Sequence, residues 1–341
     1  MKSDLLKKFL LIAVVCSASV SCAKYEANED NLFYEKALLS WVKVNFPNAV
    51  STVSDLGVYT LESVEGTGLP PVDSQYVLVH YTKRDLEGML LDTNEKDVAE
   101  SERPRTFDKV AFYGPSTWIL GSPSVPAGIN ETLRKMRVGG KVTVAVPLAA
   151  SSVETSVYST FVTAETDNVI YSLTLEDVVS DINQYQLDSM YRFRNHNFPE
   201  LDTMVTGFFF KKFIEVDRDT DNSGTLDSIT DGATLKTRYI ARLLDGHVFD
   251  TNIADTAKKY GFYKESNSYS ALEVTYHDDI QEMIKNAGTV EGFARAVHEL
   301  YYGEYGATFF WSDMGYGETG SGDAVPEYSP LFFQIWVEEQ E

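Results

Sequence analysis

The feature that most constrains the fold is a series of elements that occurs twice along the chain. In the first copy, alternating apolar residues predict strands at Tyr76–Tyr81 and at 86–92, followed by a short helix at Ile129–Met136 and further strands. The second copy starts near Met204 and places a helix at Gly292–Leu300 between strands. Similar order at a long separation indicates an internal duplication. Strands, one helix and strands again predict an α+β fold with antiparallel sheets.

A chain of 341 residues is too long for one ordinary core, which fits two domains. Between the copies, residues 181–198 are polar and helical in pattern, and we expect a spacer there rather than part of a core. The expected parts are a signal peptide at 1–22, a tether and helix at 23–49, a first domain at 50–180, a linker at 181–203 and a second domain at 204–341.

The N-terminus has the pattern of an export signal. Three lysines precede a short apolar run, which is too short to span a bilayer, and small residues lead to Ser19-Val-Ser-Cys22. A small residue before a cysteine resembles a bacterial lipoprotein cleavage box, with Cys22 as the lipidated residue. The alternative is an ordinary secretory signal that is cut nearby. We expect an extracytoplasmic lipoprotein of the bacterial cell envelope, on the periplasmic or the surface side of the outer membrane.

A helix is expected at 32–46, where apolar residues recur at helical spacing before Pro47 ends it. Packing of this helix onto the first domain is the favoured interpretation, and a partner-binding helix is the alternative. The overall balance is strongly acidic, with 29 basic and 51 acidic residues and a net charge of −22. Phosphates would repel such a surface, so a nucleic-acid partner is excluded.

One acidic motif could hold a cation. Asp219, Asp221, Ser223 and Asp227 offer oxygen ligands around Gly224, as at the start of a calcium loop. Position twelve is Thr230 rather than glutamate, and the motif lies between predicted strands. An acidic hairpin turn is therefore the favoured interpretation, with calcium as the alternative. No other metal site is expected, because the five histidines are scattered and both cysteines lie in the signal.

Three segments of the last third carry the functional information. They are Tyr239 to Asp250, Val290-Glu-Gly-Phe293, and Gly315-Tyr-Gly317 running on through Val325-Pro326 to Phe333. In this order and spacing they resemble the FKBP-type peptidyl-prolyl isomerases. The resemblance implies two such domains, each an antiparallel twisted sheet wrapped on a short helix.

The resemblance also implies roles for individual residues of the second domain. The proline pocket would be formed by Tyr239, Phe249, Asp250, Val290, Phe293, Tyr316 and Phe333. Val325 on the flap and Tyr269 ahead of the helix would contact substrate. The stretch between Asp250 and Val290 is longer than is usual in the family and has helical patterns at 254–260 and 277–286. It borders the pocket and would either enlarge or cover it.

The first copy keeps the scaffold of this pocket and loses much of its lining. Tyr81, Asp92, Val125 and Gly128 are retained, while Leu91 and Ile129 replace the aromatic residues. Leu173 is expected at the position of Phe333, and Ala149-Ala-Ser-Ser152 stands where the flap tyrosine belongs. We expect this copy to be structural or peptide-binding.

Isomerising a prolyl bond needs neither a metal nor a nucleophile, so no cofactor is expected beyond the calcium alternative. The expected function is a peptidyl-prolyl cis-trans isomerase that helps exported proteins fold, with proline-containing polypeptides as partners, activity in the second domain and a lipid anchor in the membrane. The alternative is a non-catalytic peptide-binding or chaperone lipoprotein that kept only the fold.

Overall fold

The computed structural model describes residues 29–152, 167–199, 205–218 and 227–339. Cys22 and the ligands Asp219, Asp221 and Ser223 of the calcium motif lie outside these ranges, as does part of the predicted linker. No helix in the described ranges has both the length and the apolar character needed to cross a membrane.

The first repeat begins with helix α1 (Glu29–Asn45) and a 3-10 turn (Pro47–Thr52). Its strands are β1 (Tyr59–Val64), β2 (Tyr76–Arg84), β3 (Leu90–Thr93), β4 (Ser116–Ile119), β5 (Lys141–Val146) and β6 (Val169–Val179). Its other helices are α2 (Lys96–Glu102), α3 (Ala127–Arg134) and α4 (Leu148–Ser151). The strand expected from residue 86 starts only at Leu90, because Asp85 accepts hydrogen bonds from Gly88 and Met89 and closes a turn there.

The second repeat is introduced by helix α5 (Ile182–Asn197). Its strands are β7 (Phe208–Ile214), β8 (Thr234–Leu243), β9 (Val248–Thr251), β10 (Leu272–Thr275), β11 (Tyr305–Phe310) and β12 (Leu331–Val337). Its helices are α6 (Ala254–Tyr260), α7 (Ile280–Asn286) and α8 (Glu291–His298), with a 3-10 turn at Ser312–Met314. The helix expected from 277 starts later, at Ile280, since Asp279 caps it by accepting from the N–H of Gln281.

The two sheets have the same topology. The first runs β1-β5-β6-β2-β3 with β4 also paired to β2, and the second runs β7-β11-β12-β8 with β9 and β10 both paired to β8. All pairs between these strands are antiparallel. The predicted α+β class and the tandem arrangement are therefore confirmed.

A short inner helix covers one face of each sheet. In the first repeat, Ile129 and Leu133 of α3 are fully buried against the sheet. In the second, Phe293 and Val297 of α8 occupy the same place. Side chains that alternate along a strand point to opposite faces, so Phe310 and Phe333 reach α8 while their neighbours face away.

The opposite face of each sheet is covered by the preceding helix. Leu38 and Val42 of α1 pack on Tyr59 and Ala145 of the first sheet, as expected for the N-terminal helix. Met190 of α5 packs in the same way on a pair of stacked rings in the second sheet. The paired positions Tyr59↔Ala145 and Phe209↔Phe309 are equivalent in the two sheets.

The expectation of a spacer at 181–198 was therefore wrong. Ile182, Gln186 and Met190 form a buried stripe, four residues apart, along α5. Ile182 packs on Leu78 and Val179 of the first sheet, whereas Met190 packs on the second sheet. Because Gln186 is polar, the apolar pattern of the sequence does not reveal this stripe. The Gln186 side-chain oxygen accepts a hydrogen bond from the N–H of Ser312 at 2.8 Å. Helix α5 belongs to the second repeat as α1 belongs to the first.

Candidate functional site

Four aromatic rings converge on one side of the second sheet. Tyr239 comes from β8, Phe249 from β9, Phe293 from α8 and Phe333 from β12. The ring of Phe333 lies at the centre, with centroids 6.1 Å from Tyr239, 6.1 Å from Phe249 and 5.4 Å from Phe293. Tyr239 meets Phe293 edge to face at 5.6 Å. Such inclined ring pairs are the geometry that aromatic quadrupoles favour, and together they form an apolar bowl.

The floor of the bowl is shielded from solvent and its mouth is not. Phe293 is 1% exposed and Phe333 is 5% exposed, whereas Tyr239, Val290 and Tyr316 are half-buried. Val290 occupies the N-cap position of α8, and its side chain packs against the core cluster that contains Phe293. A ligand would therefore meet these three half-buried side chains first.

Gly292 lets α8 approach the sheet closely. A Cβ atom built at this position would lie 2.2 Å from the ring of Phe310. That ring is fully buried and stacks on Phe333 with centroids 5.7 Å apart. The glycine thus sets the depth of the floor, since any side chain here would push the helix away from the sheet.

Tyr239 is held by a hydrogen bond to the rim. Its hydroxyl donates to Oδ2 of Asp250 over 2.7 Å, and the other carboxylate oxygen accepts from the N–H of Thr251 at 2.8 Å. Burial, followed by the charge of Asp250, raises the pKa of Tyr239 well above its usual range. The tyrosine therefore stays protonated and keeps the carboxylate oriented.

Thr251 and Asn252 support this pair, and the sequence reasoning missed both. The Asn252 side chain accepts from the N–H of Tyr239 at 2.9 Å and donates to the carbonyl of Thr237 at 2.9 Å. The Thr251 hydroxyl donates to the carbonyl of Tyr239 at 2.6 Å. The signal that would have found them is the tripeptide Asp-Thr-Asn, which also occurs at 92–94.

The flap after β11 brings Tyr316 and Val325 to the bowl. Both pack on the same core, with Val325 only 2% exposed. Burial and the nearby charge of Asp250 raise the pKa of Tyr316, so its hydroxyl remains a donor. Gly320 has φ +64°, and a Cβ there would lie 2.2 Å from the carbonyl oxygen of Val325, so the turn that carries Val325 inward requires glycine.

Tyr269 lies outside the bowl, in a neighbouring groove. Its ring stacks on Tyr263 at 5.1 Å, and its hydroxyl accepts from the N–H of Lys264. The groove shares Phe249 and Asp250 with the bowl. Of the residues predicted for the second site, all but Tyr269 pack against the bowl's core or, for Asp250, bond to its tyrosine.

The first repeat has the same polar network without the full set of rings. The Tyr81 hydroxyl donates to Asp92 at 2.6 Å, and Asn94 accepts from the N–H of Tyr81 at 2.7 Å. Ile129 is fully buried at the floor position, and Leu91 is 36% exposed at the rim. Aliphatic side chains thus stand here where the second repeat has the rings of Phe293 and Phe249.

The equivalent of Phe333 in this repeat is Tyr171, so the expectation of Leu173 was wrong. Leu173 pairs with Tyr81, just as Ile335 pairs with Tyr239. Tyr171 has its centroid 6.3 Å from Tyr81, close to the spacing of the matching pair in the second repeat. A cavity of about 420 Å³ adjoins Tyr81 and Asp92. Glu327 and Pro326, from the flap of the second repeat, form part of its wall.

Of the calcium motif, only Asp227 is described, and its N–H donates to the carbonyl of Arg218 at 2.6 Å. Within the described parts of the chain, no group of three or more His, Cys, Asp or Glu side chains is arranged to hold a metal ion.

A model of a known protein family matches the segment that contains the bowl. Residues 227–338 match the family model described as FKBP-type peptidyl-prolyl cis-trans isomerase. None of the curated proteins compared with the chain matches it.

Two of the solved structures that match the chain show a low level of similarity. The three FKBP domains of wheat FKBP73 share 16% identity over 84% of this chain and 95% of that chain, with a TM-score of 0.28. A peptidyl-prolyl cis-trans isomerase from Pseudomonas syringae pv. tomato str. DC3000 shares 18% identity over 46% of this chain and 93% of that chain, with a TM-score of 0.31. Because these scores are low, the assignment rests on the family match and on the bowl that it spans. The second repeat therefore contains the segment, residues 227–338, that matches the FKBP-type peptidyl-prolyl cis-trans isomerase family.

Proposed function

We propose that the second domain catalyses cis-trans isomerisation of X–Pro bonds in polypeptides. The observation that carries this proposal is the convergence of Tyr239, Phe293 and Phe333 on one apolar bowl whose rim holds the oriented carboxylate of Asp250. The family match over residues 227–338 supports it.

The bowl's chemistry suits a rotation better than a bond cleavage. The barrier to turning a peptide bond is about 18–20 kcal/mol and comes from its partial double-bond character. Moving the imide from water into the apolar space over Phe293 disfavours the charge-separated resonance form and so weakens that character. A bowl that fits the twisted imide better than either planar isomer lowers the barrier further, by differential binding.

Two polar groups would position the substrate at the mouth. The protonated Tyr316 hydroxyl is available to donate to a substrate carbonyl, because burial keeps its pKa raised. Asp250, fixed by Tyr239 and Thr251, would orient a neighbouring polar group of the substrate. Neither role transfers a proton, so activity should depend little on pH near neutrality.

We infer further that the clients are exported polypeptides and that the chain is held in the bacterial cell envelope, periplasmic or at the surface, by a lipid on Cys22. The basic start, the short apolar run and the small residues before Cys22 support this proposal. Partition of the full chain into detergent, compared with a Cys22→Ser variant, tests it. Equal partition of the two proteins would contradict the anchor.

The duplication supplies matched controls for the activity. A protease-coupled isomerisation assay on the full chain would compare Tyr239→Phe with Tyr81→Phe and Phe249→Ala with Leu91→Ala. We expect kcat/KM to fall by about 10- to 100-fold for the second-domain variants, as expected for losing a charged hydrogen bond or a large apolar contact. The first-domain variants should retain the wild-type value.

Equal losses in both domains would place activity in both and contradict the assignment to the second. Absence of activity in the wild type, combined with binding of X–Pro peptides that Phe249→Ala weakens, would favour the non-catalytic peptide-binding protein instead.

A further inference from the structure

A groove of about 620 Å³ lies between the two domains, next to the bowl. Residues 105–110 of the first domain form one wall, and residues 261–264 with Tyr269 form the other. Phe249 and Asp250 line both the groove and the rim of the bowl. A polypeptide with its proline in the bowl would therefore extend into this groove.

The first-domain wall is fixed on the second domain. We call residues 105–113 the bridging loop. The N–H of Phe112 donates to the carbonyl of Asp323 at 2.7 Å, and Nε2 of His247 lies 2.8 Å from the carbonyl oxygen of Val110. The Phe112 ring packs against the second domain's core, with its centroid 6.2 Å from that of His247. The loop is thus part of the second domain's surface, although in sequence it belongs to the first domain.

The groove is locally basic in a chain of net charge −22. Arg105, Lys109 and Lys264 line it and are exposed, and none has a side-chain hydrogen bond or ion pair within the described residues. Two acidic residues also line the groove, and each accepts a hydrogen bond from a neutral donor, which does not cancel the charge of a carboxylate. Asp108 accepts from the N–H of Val110 at 2.8 Å, and Asp250 accepts from Tyr239. Three cations against two carboxylates (3 − 2) give the lining a net charge of +1, and the cations are the groups left without a partner in the described part of the chain.

Aromatic surface lies between these cations. Tyr263 and Tyr269 stack at 5.1 Å on the second-domain wall, and Phe107 and Phe262 contribute from the two sides. Flat rings give contact area to a peptide at a small cost in conformational entropy. Cations interleaved with rings fit an extended peptide that carries acidic and apolar side chains.

We propose that this groove binds the residues flanking the proline of a polypeptide substrate and selects acidic ones. The inference rests on the proposed function of the bowl and deepens it, because it assigns the substrate class. It also involves the first domain in substrate recognition, because the bridging loop supplies two of the three cations, Arg105 and Lys109.

The test uses the full chain and two extended peptides with the same apolar X–Pro core. One has glutamates and the other lysines at the flanking positions, and a short X–Pro peptide without flanks reports on the bowl alone. We expect the glutamate peptide to have a kcat/KM about tenfold above the lysine peptide at low salt, from a few exposed charge pairs. The ratio should approach one in about 0.5 M salt, where exposed charges are screened.

A charge-reversal triple variant, Arg105→Glu/Lys109→Glu/Lys264→Glu, should invert the ratio. The matched control, Lys36→Glu/Lys43→Glu/Lys285→Glu, changes the net charge equally at exposed positions outside the groove and should keep the wild-type ratio. Inversion of a ratio cannot come from misfolding alone, since loss of fold lowers both values.

The groove assignment would be overturned if the wild type had equal kcat/KM for the two peptides. It would also be overturned if the control triple variant changed the ratio of the two values as much as the groove variant does. If the proposed isomerase function of the bowl is wrong, the short peptide will not be turned over, and this outcome is separate from the test of the groove. In that event, fluorescence anisotropy of the labelled extended peptides still decides the groove: tighter binding of the glutamate peptide supports it, and equal binding overturns it.

Discussion

At the scale of single residues, the two domains share one polar network and differ in the rings around it. The hydroxyl groups of Tyr81 and Tyr239 each donate to an aspartate, and their backbone N–H groups each donate to the side-chain oxygen of an asparagine. This network orients the tyrosine and pairs its backbone N–H. An unpaired buried donor at this position would cost about 1–3 kcal/mol. Because both repeats have this network, it belongs to their shared scaffold and does not by itself distinguish the second site. The aromatic residues Phe249 and Phe293 are what distinguish the second site.

A single carboxyl group at the domain boundary predicts a pH dependence of stability. Burial raises the pKa of Glu327 above its ordinary value of about 4.3. The fold therefore favours the neutral acid. Its stabilising contribution is full below the unfolded-state pKa and is lost as the pH rises through the folded-state pKa. Glu327→Gln, which mimics the neutral acid, should raise the Tm by a few degrees at pH 7.5 and leave it unchanged near pH 4.

The control for this change is Glu318→Gln, an exposed carboxyl on the same flap. It alters the net charge equally and should shift the Tm little at either pH. A Glu327→Gln protein that is less stable than wild type at pH 7.5 would mean that the carboxylate is used in a favourable interaction. Thermal melts followed by circular dichroism give both comparisons.

At the scale of elements, helix α5 stabilises the second sheet and is no linker. Met190 is fully buried between the helix and the stacked rings of Phe209 and Phe309. Truncation of a buried methionine to alanine costs about 2–5 kcal/mol, so Met190→Ala should lower the free energy of unfolding by that amount. Arg192→Ala, an exposed change on the same helix, should cost under about 0.5 kcal/mol. Denaturant titrations measure both, and equal small effects would show that α5 does not stabilise the domain.

How far the sequence predicts these elements depends on what defines them. The strands and inner helices follow from alternating or helical apolar patterns, whereas the ring residues of the second site came from the resemblance to the isomerase family. The register of β6 did not follow from the apolar pattern. Tyr171 and Leu173 are two residues apart and lie on the same face of the sheet, so a pattern of period two cannot choose between them. Helix α5 was misassigned because a paired, buried Gln186 interrupts its apolar stripe.

At the scale of the whole molecule, the two domains are linked by more than the connecting chain. Tyr76 of the first domain meets Tyr328 of the second edge to face at 5.1 Å, and the bridging loop reaches the turn before β9 through His247. These contacts join residues far apart in sequence, and neither composition nor periodicity encodes such placement. Only the folded chain therefore reveals that the second site has a wall supplied by the first domain.

This linkage predicts that one side chain of the first domain protects backbone of the second. Phe112 is half-buried against the second core, so its truncation to alanine should cost about 1–3 kcal/mol, less than for a fully buried ring. Because that contact joins the domains, Phe112→Ala should speed hydrogen exchange in the second-domain segments that face it, residues 245–251 and 320–328, while the first sheet keeps its protection. Phe33→Ala removes the same ring from α1, where it is 68% exposed, and should leave both segments unchanged. Exchange that stays unchanged in the Phe112 variant would mean that the domains move independently in solution, and the groove between them would then have no fixed wall.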